Sequence, residues 1–426
     1  MVGAGVVGIS SAHELSLGGH EVTVFERRST VAEEASFASG ALIAPGWAAG
    51  WGLAGRQLGW PWSSHSDGLH LARLPTGSEW RWLWQWRQLR RGPQWAASQG
   101  QVQGLMRYSQ QRLEAITDQY QFDHDRSHGM LVLLRTEQEV AHAQAPLQQL
   151  RDQGLPAQLI TAAEARGLET ALSSETPLQG AIELGGEAVA NCREFAVLLR
   201  ARALQAGCRF EFNTVVGRID ALAPTGFRLE LAHTASRPPN EAASASARTF
   251  DAVVVCAGVA SAGLLRQLGL NLPLQSVQGH SLSAAVREPM DAPQSAVLDA
   301  HQGVSIARLG QRVRVAGGHD WGRRTGTPSK AALQRLYKVL SDWFPGAVRL
   351  GGPAGNVQAW CGAQAELPDG LPLIGASRIP GLWLNLGHGA CGWSMACGSA
   401  RALADQVDGR PSDIDLTPFS PRRHGI

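Results

Sequence analysis

Three glycines at the start of the chain are the first residues whose spacing points to chemistry, because they fit G-x-G-x-x-G at Gly3, Gly5 and Gly8. In dinucleotide-binding proteins this turn lets the backbone approach a pyrophosphate at a helix N-terminus, and an acid after the next strand accepts from a ribose hydroxyl. The sequence supplies both parts: a predicted helix over residues 9–17 and a predicted strand over residues 21–25 that ends in Glu26. This order predicts a dinucleotide site.

A second glycine turn lies near the far end of the chain, where an apolar strand over residues 382–386 leads into Gly387, His388 and Gly389. A helix is predicted from about Trp393, so the turn places backbone N–H groups and the positive end of a helix dipole beside an anionic group. NAD enzymes have no standard need for this second turn. A flavin dinucleotide is long enough to be bound at both turns, and the second would stabilise the negative charge of the reduced ring.

The elements that must position the first turn are incomplete in the sequence, because only Met1 and Val2 precede the glycines. A parallel strand normally precedes this turn directly, and no ordinary fold omits a central parallel strand. We therefore expect that the sequence starts late, through a truncated gene model or an altered start. Farther along, the continuous apolar run at residues 250–256, followed by Ala257 and Gly258, predicts a fully buried parallel strand.

The middle of the chain predicts a second structural unit. A tryptophan-rich helix begins near residue 78, and a β-rich segment extends from about residue 279 to residue 316. The low-complexity insertion at residues 233–249 is predicted to be a disordered hairpin tip. Cofactor-type patterns occur at both ends and in the middle of the chain, so two interleaved domains are expected.

Composition narrows the class of protein. A chain of 426 residues is long enough for two or three domains, and a net charge of +2 gives no strong basic field for bulk nucleic-acid binding. The six cysteines are scattered without a C-x-x-C pair, which favours buried thiols over disulfides or a metal site. Neither a signal peptide nor an apolar run of about twenty residues is present, which predicts a cytoplasmic or peripheral protein.

Six stretches distributed along the whole chain carry a family resemblance; they read GAGVVGISSAHELSLGGHEVTVFER, EASFASGALIAPGW, RYSQQRLEAI, VRVAGG, LPDGLPLIG and LWLNLGHGACGWSMACGSA. With these motifs the chain resembles the D-amino acid dehydrogenases, the FAD-dependent branch of the D-amino acid oxidase superfamily. It looks like a divergent member with a truncated N-terminus, since the family has several apolar residues before the first glycine. The last stretch is the most specific.

The resemblance implies an α/β fold in which a glutathione-reductase-like FAD-binding domain, a parallel sheet with helices, is interleaved with a mixed or antiparallel-sheet α+β substrate domain. We assign residues 1–78, 158–265 and 356–426 to the FAD-binding domain, and residues 79–157 and 266–355 to the substrate domain. Together with the two turns, it predicts that FAD contacts Gly3, Ala4, Gly5, Val6, Val7, Gly8, Glu26, Arg27, Ser36, Ser39, Val216, Ala257, Gly258, Gly387, His388, Gly389 and Gly392.

The chain differs from the family at residues that are expected to line the substrate site, here called the substrate wall. Where the family has G-L-R-P before T-P-D-G, this chain has Gln364, so the arginine expected to clamp the substrate carboxylate is replaced by a neutral amide. The family tyrosine of K-G-Y is His280, its asparagine near position 39 is Ser39, and its D-E-T-G-D becomes residues 187–191. We predict Gln364, His280 and His388 as catalytic residues. His388 by itself is more often a turn or capping residue than a base.

A neutral residue 364 leaves two interpretations of the substrate open. The substrate would have an uncharged hydrogen-bonding group at this position, or another cation would bind its carboxylate. Candidates for that cation on the predicted substrate-domain strands are Arg308, Arg314 and His280, and the sequence does not choose among them.

The tryptophan-rich helix carries four indoles, Trp80, Trp82, Trp84 and Trp86, interleaved with arginine. Their spacing places Trp80 with Trp84 and Trp82 with Trp86, so that both faces are apolar. One pair would be core and the other an interdomain contact, or the helix would lie at a membrane interface, where indole rings favour the headgroup region. Related dehydrogenases have tryptophans here, which favours peripheral contact with the inner face of the plasma membrane.

The sequence thus predicts an enzyme that oxidatively deaminates D-amino acids or close amine analogues, with hydride transfer from the Cα–H to flavin N5 and electrons passed to a respiratory-chain acceptor. Its expected partners are FAD, a small amino acid or amine and that acceptor, with no nucleic acid and no metal. Two alternatives remain: an oxygen-using oxidase of secondary amines or imino acids, and a degenerate flavoprotein without activity.

Overall fold

The computed structural model describes residues 1–48, 58–59, 69–92, 94–233, 246–323, 326–349 and 357–426. The helices of these residues are α1 (Val6–Leu17), α2 (Pro45–Ala48), α3 (Gly77–Arg91), α4 (Gln94–Tyr120), α5 (Glu137–Asp152), α6 (Ala162–Leu168), α7 (Cys192–Gln205), α8 (Ser261–Gln267), α9 (Lys330–Trp343) and α10 (Gly392–Val407). The strands are β1 (Thr23–Phe25), β2 (Leu42–Ile43), β3 (Leu58–Gly59), β4 (Leu69–Leu71), β5 (Ser127–Leu134), β6 (Ala157–Thr161), β7 (Gly180–Val189), β8 (Arg209–Glu211), β9 (Thr214–Ala221), β10 (Phe227–His233), β11 (Ser246–Phe250), β12 (Val253–Val255), β13 (Gln275–Ala285), β14 (Ala296–Asp299), β15 (Val304–Leu309), β16 (Arg312–Trp321), β17 (Val357–Glu366), β18 (Leu373–Ala376) and β19 (Leu382–Leu386).

A mainly parallel sheet carries both glycine turns. β8 pairs with β1, β12 pairs with β19, and β18 closes the edge antiparallel to β19. Val2 lies between the two halves and bridges in parallel to Phe25 and to Val255. Its N–H donates to the Val254 carbonyl (3.0 Å), and its carbonyl accepts from the Cys256 N–H (2.9 Å). The position of the central strand is therefore held by the first residues of the chain.

A large mixed sheet forms the second layer of the molecule, in the order β17-β13-β16-β15-β14-β5-β7-β2, with β4 beside β16 and β6 beside β7. Six strands that lie wholly or mostly in ranges assigned to the FAD-binding domain pair within this sheet: β2, β3, β4, β6, β7 and β17. The sheet to which a strand belongs depends on its pairing with strands far away in the sequence, and the pattern of residues within one strand does not determine that pairing.

One face of the large sheet is covered by α9. Leu336, Leu340 and Trp343 of this helix pack in one buried cluster with Leu282 of β13 and Val315 of β16. Because side chains alternate along a strand, the residues between these positions face the other way, toward the parallel sheet and its helices. This alternation decides which polar side chains of β13, β16 and β17 can reach a ligand there.

The tryptophan-rich helix α3 buries only one of its two indole pairs. Trp82 and Trp86 pack with Trp321, and the Trp82 indole N–H donates to the Pro273 carbonyl (2.8 Å). Trp80 and Trp84 keep 46% and 63% of their surface exposed. The helix starts in a capping box between Thr76 and Glu79. Of the alternative in which one pair is core and the other an interdomain contact, the structure shows the buried pair, whereas the other pair is exposed.

Several local predictions match the structure closely. The strand over residues 382–386 has the predicted bounds, and the strand after residue 250 is buried and parallel to β19. β10 and β11 form the predicted hairpin, whose tip at residues 234–245 lies outside the described residues. All six cysteines are free and buried. In the part of the chain that the structure describes, no helix is both long and apolar enough to cross a membrane.

Candidate functional site

The first glycine turn is shaped by close backbone contacts. Gly3 has φ of +100°, and a Cβ there would lie 2.6 Å from the Cys256 carbonyl oxygen; a Cβ on Gly8 would lie 2.1 Å from the Gly3 carbonyl oxygen. These two positions therefore require glycine for folding. Gly5 differs, because its φ is −66° and the nearest described atom to a Cβ there is Ser36 Oγ, at 3.5 Å. A side chain on Gly5 would extend into open space.

Glu26 is buried at the end of β1 and closes this turn. Its Oε2 accepts from the Ala4 N–H (2.7 Å), and its Oε1 accepts from the Arg28 N–H (2.9 Å). These bonds hold the carboxylate at the mouth of the turn. Each oxygen has a second lone pair, so the group can still accept from a ribose hydroxyl.

The open space beside Gly5 is a cavity of about 520 Å³ between α1, β9, β12 and the second glycine turn. Nearly all residues predicted to contact FAD lie on its wall: Gly3, Gly5, Val6, Val7, Glu26, Arg27, Ser36, Ser39, Val216, Ala257, Gly258, Gly387, His388, Gly389 and Gly392. Ala4 and Gly8 lie behind the wall, where Ala4 holds Glu26 and Gly8 packs on Gly3. Residues far apart in sequence are thus brought to one cavity.

The second glycine turn faces the same cavity. Gly387 and Gly389 have φ of +82° and +55°, and a short 3₁₀ turn at Gly389–Cys391 leads into α10. The N-terminal ends of α1 and α10 therefore both meet this space, which favours negative charge at two places. A dinucleotide with a diphosphate and a ring that becomes anionic matches this arrangement.

His388 has its side chain directed into the protein. Burial lowers the pKa of this imidazole to about 3, so the ring is neutral. The Ser399 hydroxyl donates to the Ala396 carbonyl, which leaves Ser399 Oγ to accept from His388 Nε2–H at 3.1 Å. These contacts favour a structural role for His388 rather than the predicted catalytic one.

A smaller cavity of about 130 Å³ adjoins the first, between the turn and the large sheet. Both cavities are bordered by Ala35, Ser39, Gly40, Gln364, Ala390 and Trp393. Gln364 therefore lies at the junction of the two spaces, where a residue on the substrate wall is expected. Its buried Oε1 has no hydrogen-bond partner among the described residues. Such an orphaned acceptor is what a bound ligand would satisfy.

Strand register places the polar side chains of this wall. Gly279 of β13 lies opposite Gly362 on β17 and opposite His319 on β16, and Gln364 lies opposite Val277, two residues before Gly279. Residues in direct register share a face, so His319 and Gln364 project from the same side of the sheet. His319 borders the smaller cavity. Sequence reasoning missed His319; its only signal is its position just after the matching stretch VRVAGG.

His280, predicted as catalytic, borders the cavity but directs its ring to the other face. It follows Gly279 directly and lies opposite Cys361, so it points toward the α9 side. There its Nε2 is 3.1 Å from Asp320 Oδ2. This contact anchors the imidazole away from Gln364 and argues against contact with a substrate held there.

The two candidate arginines also lie away from Gln364. Arg308 uses its guanidinium on the carbonyls of Pro289 and Gly310. Arg314 shares the face of Gln364, and its Nη1 donates to the Ser39 carbonyl at 3.0 Å. Arg314 lies opposite Ser283, four residues along β13 from Gly279, which is about 13 Å at the rise of a strand. In the described part of the chain, neither arginine borders the smaller cavity.

Comparison with known proteins agrees with this geometry. A family model described as FAD dependent oxidoreductase matches residues 1–406. D-amino acid dehydrogenases from two strains of Cereibacter sphaeroides are each 33% identical over 432 aligned positions, covering 100% of this chain and 94% of theirs.

Solved structures show the same fold. Glycine oxidase from Geobacillus kaustophilus superposes with a TM-score of 0.73 at 22% identity, covering 98% of this chain and 96% of that chain. Iminodiacetate oxidase from Chelativorans sp. BNC1 has a TM-score of 0.71 at 19% identity, covering 99% and 98%. The predicted fold class is confirmed.

Proposed function

Because the chain belongs to the family of FAD-dependent oxidoreductases that includes the D-amino acid dehydrogenases, we propose that it oxidatively deaminates D-amino acids or a close amine analogue. FAD is its cofactor, and the residues of the large cavity fit that group. The observation that carries the substrate proposal is the junction at Gln364, where a small cavity adjoins the end of the dinucleotide site nearest the second turn. A small substrate held there would contact the cofactor.

The chain's own residues supply binding and orientation. Bound FAD supplies the two-electron oxidation chemistry. Gln364 offers one amide donor and one acceptor to a substrate, while Leu298 and Trp393 contribute apolar surface that limits water in the smaller cavity. Holding a reactant in a near-attack geometry can contribute about 7–11 kcal/mol to lowering a barrier. We assign most of the catalytic effect of the protein to this positioning, and none to a nucleophile or a metal.

The direct test is an anaerobic substrate screen of the purified flavoprotein. D-amino acids, their L-enantiomers and secondary amines are added in turn, and the flavin absorbance near 450 nm is recorded. Bleaching by D-amino acids, with weaker effects of the other two classes, supports the proposal. Bleaching by secondary amines alone would support an imino-acid enzyme instead. A flavin that none of these compounds reduces would overturn the proposal.

The electron acceptor is a second part of the proposal. We propose that electrons leave through a respiratory-chain acceptor rather than oxygen, as the resemblance to dehydrogenases implies. The reduced protein is mixed with a quinone analogue or with dissolved oxygen, and the rate of flavin reoxidation is followed. Faster reoxidation by the quinone analogue supports the proposal, whereas rapid peroxide formation in air supports an oxidase.

The exposed face of α3 is our candidate for membrane contact. Trp80 and Trp84 are four residues apart and lie on one side of the helix, and Leu74 before it is 61% exposed. Arg81 and Arg87 are also exposed on this helix. Amphipathic indoles beside basic side chains suit the headgroup region of an anionic membrane.

This contact is tested by co-sedimentation with vesicles that contain phosphatidylglycerol. Trp80→Ala combined with Trp84→Ala should release the protein from the vesicles, because both indoles are exposed. Met290→Ala, which changes a side chain that is 82% exposed elsewhere, serves as the matched control and should not release it. Equal binding of the double variant and the control would refute the assignment.

A further inference from the structure

We propose that the side-chain oxygen of Asn385 accepts a hydrogen bond from a hydroxyl of the ribityl chain, the segment of FAD between its diphosphate and its flavin ring. The inference goes beyond the proposed substrate, because it concerns only how the cofactor is held. It adds a residue to the cofactor contacts that the sequence motifs predict. Asn385 is the fourth residue of β19 and lies two positions before Gly387 of the second glycine turn.

Asn385 has a polar atom inside the protein that no described group satisfies. Its side chain borders the larger cavity, and only 1% of the residue's surface is exposed. Its Oδ1 has no hydrogen-bond partner among the described residues. A buried amide oxygen without a partner is costly, and such atoms are rare in folded proteins. A free acceptor on the wall of a ligand cavity is explained when the ligand brings the donor.

The orientation of this amide is fixed by its neighbours on α1. Asn385 Nδ2 donates to Ser11 Oγ at 3.0 Å, and Ser11 Oγ donates its own proton to the Val7 carbonyl at 2.8 Å. Because the Ser11 hydroxyl has only one proton, its oxygen is left to accept, and the amide nitrogen must face it. The amide oxygen is therefore the unpaired atom, and the group offers the cavity an acceptor rather than a donor.

The place of Asn385 decides which part of FAD it can reach. In the parallel register, Leu384 of β19 pairs with Val255 of β12. Asn385 therefore lies beside Cys256, one step farther along both strands. The Cys256 carbonyl in turn lies against Gly3 of the first glycine turn. Asn385 is thus between the turn that suits the diphosphate and the turn that suits the flavin ring.

The chemistry of that part of the cofactor agrees with the free acceptor. A diphosphate offers only acceptors and carries negative charge, so an amide oxygen would repel it. The ribityl chain joins the diphosphate to the ring and carries three hydroxyl groups, each of which can donate. A hydroxyl of this chain is therefore the donor that the cofactor brings to this place.

Two other described residues on the wall of the larger cavity have a buried polar atom without a partner. They are Gln364, through its Oε1, and Trp393, through its indole Nε1. Both residues also border the smaller cavity, where the substrate is proposed to bind, whereas Asn385 borders only the larger one. Of these described residues, Asn385 is therefore the one whose free atom belongs to the cofactor space alone.

The experiment compares FAD with three synthetic analogues, each lacking one of the ribityl hydroxyls. The holoenzyme is equilibrated with known mixtures of FAD and one analogue, and the ratio of the two bound cofactors is measured by mass spectrometry. For one analogue we expect the wild-type protein to prefer FAD by about 2- to 13-fold, the range for one neutral hydrogen bond. The assay follows binding only, so it needs no substrate and no turnover.

Variants assign this preference to Asn385. Asn385→Leu and the smaller Asn385→Ala remove the acceptor and should lower the preference for FAD over that analogue to about 1, because the hydroxyl then has no partner there. Asn385→Asp keeps an oxygen at the same position and should keep the preference, although its negative charge near the diphosphate weakens the binding of every cofactor. Asn271→Leu makes the same change at an exposed asparagine outside both cavities; as the matched control it should keep the wild-type ratios.

A merely structural role of Asn385 would weaken the binding of FAD and of its analogues together and leave the ratios unchanged. Ratios that are equal in the wild type, Asn385→Leu and Asn385→Ala for all three analogues would overturn the inference; a bound water that satisfies Oδ1 predicts this same result. A wild-type protein that binds all three analogues as tightly as FAD would also overturn it. A holoenzyme that shows the expected ratios, but whose flavin no amine reduces, would refute the proposed function and leave this contact standing.

Discussion

Replacing Gly5 by valine should expel FAD without unfolding the protein. Gly5 is the N-cap of α1 with φ of −66°, a conformation open to every residue, and a Cβ there meets no described atom closer than Ser36 Oγ at 3.5 Å. We expect the fold to lose only about 1 kcal/mol, the usual cost of a poor N-cap residue. The side chain would instead fill the space that the pyrophosphate needs.

The expected loss of FAD binding free energy is larger than this loss of folding stability. Displacing a phosphate from one backbone N–H removes a hydrogen bond to a charged group, which contributes about 1.5–3 kcal/mol. Each lost bond therefore weakens FAD binding by roughly 10- to 150-fold. The assay is the ratio of flavin to protein absorbance after gel filtration, together with the melting temperature of the apoprotein.

Two comparisons make the test specific. Gly8→Ala should instead destabilise the apoprotein itself. Its Cβ would overlap the Gly3 carbonyl oxygen at 2.1 Å, which should lower the free energy of unfolding by about 1–3 kcal/mol or more. Gly104→Val introduces the same side chain at an exposed site on α4 and should retain FAD. Stoichiometric FAD in Gly5→Val, or a Gly8→Ala apoprotein as stable as the wild type, would refute the reasoning.

Three further predictions concern buried groups of the cavity and the large sheet. Glu26→Gln should weaken FAD binding by roughly tenfold or more with little effect on flavin reduction, because one oxygen that accepts at the turn is lost; an unchanged FAD dissociation constant would remove Glu26 from the site. Because burial lowers the pKa of His388 to about 3, the unfolded chain binds a proton below pH 6.5 that the folded chain does not. Wild-type stability should therefore fall from pH 6.5 toward pH 3 by up to about 1.4 kcal/mol per pH unit, and His388→Gln should flatten this slope in denaturant titrations. Burial raises the pKa of Glu187 to about 8, so between pH 4.5 and pH 8 the folded chain keeps a proton that the unfolded chain loses. The effect of Glu187 on stability therefore has the opposite pH dependence: the protein loses stability as the pH rises from 4.5 toward 8. Glu187→Gln should thus stabilise the protein at pH 8 but not at pH 4.5, and equal effects at both would show that this carboxyl is ionised when folded.

Local patterns in the sequence determined the parts of the site that depend on neighbouring residues. The glycine spacing, the acid after β1 and the strand–glycine–helix order at residues 382–407 are local, because each turn is shaped by its own backbone. Together with the family resemblance, these patterns predicted FAD and most of the wall of its cavity. They also indicated two indole pairs on α3, since the spacing of a helix fixes which side chains lie together.

Tertiary structure decided which of those side chains meet. The sequence could not say that Trp82 and Trp86 are the buried pair, because that depends on Trp321, more than 200 positions away. In the same way, the sequence predicted His280 as a catalytic residue and did not indicate His319, and only the register of β13 with β16 and β17 shows which of the two shares a face with Gln364. A shift of one residue in that register would exchange their faces. Pairing between distant strands sets the register, so the FAD site could be predicted from the sequence while the substrate wall required the fold.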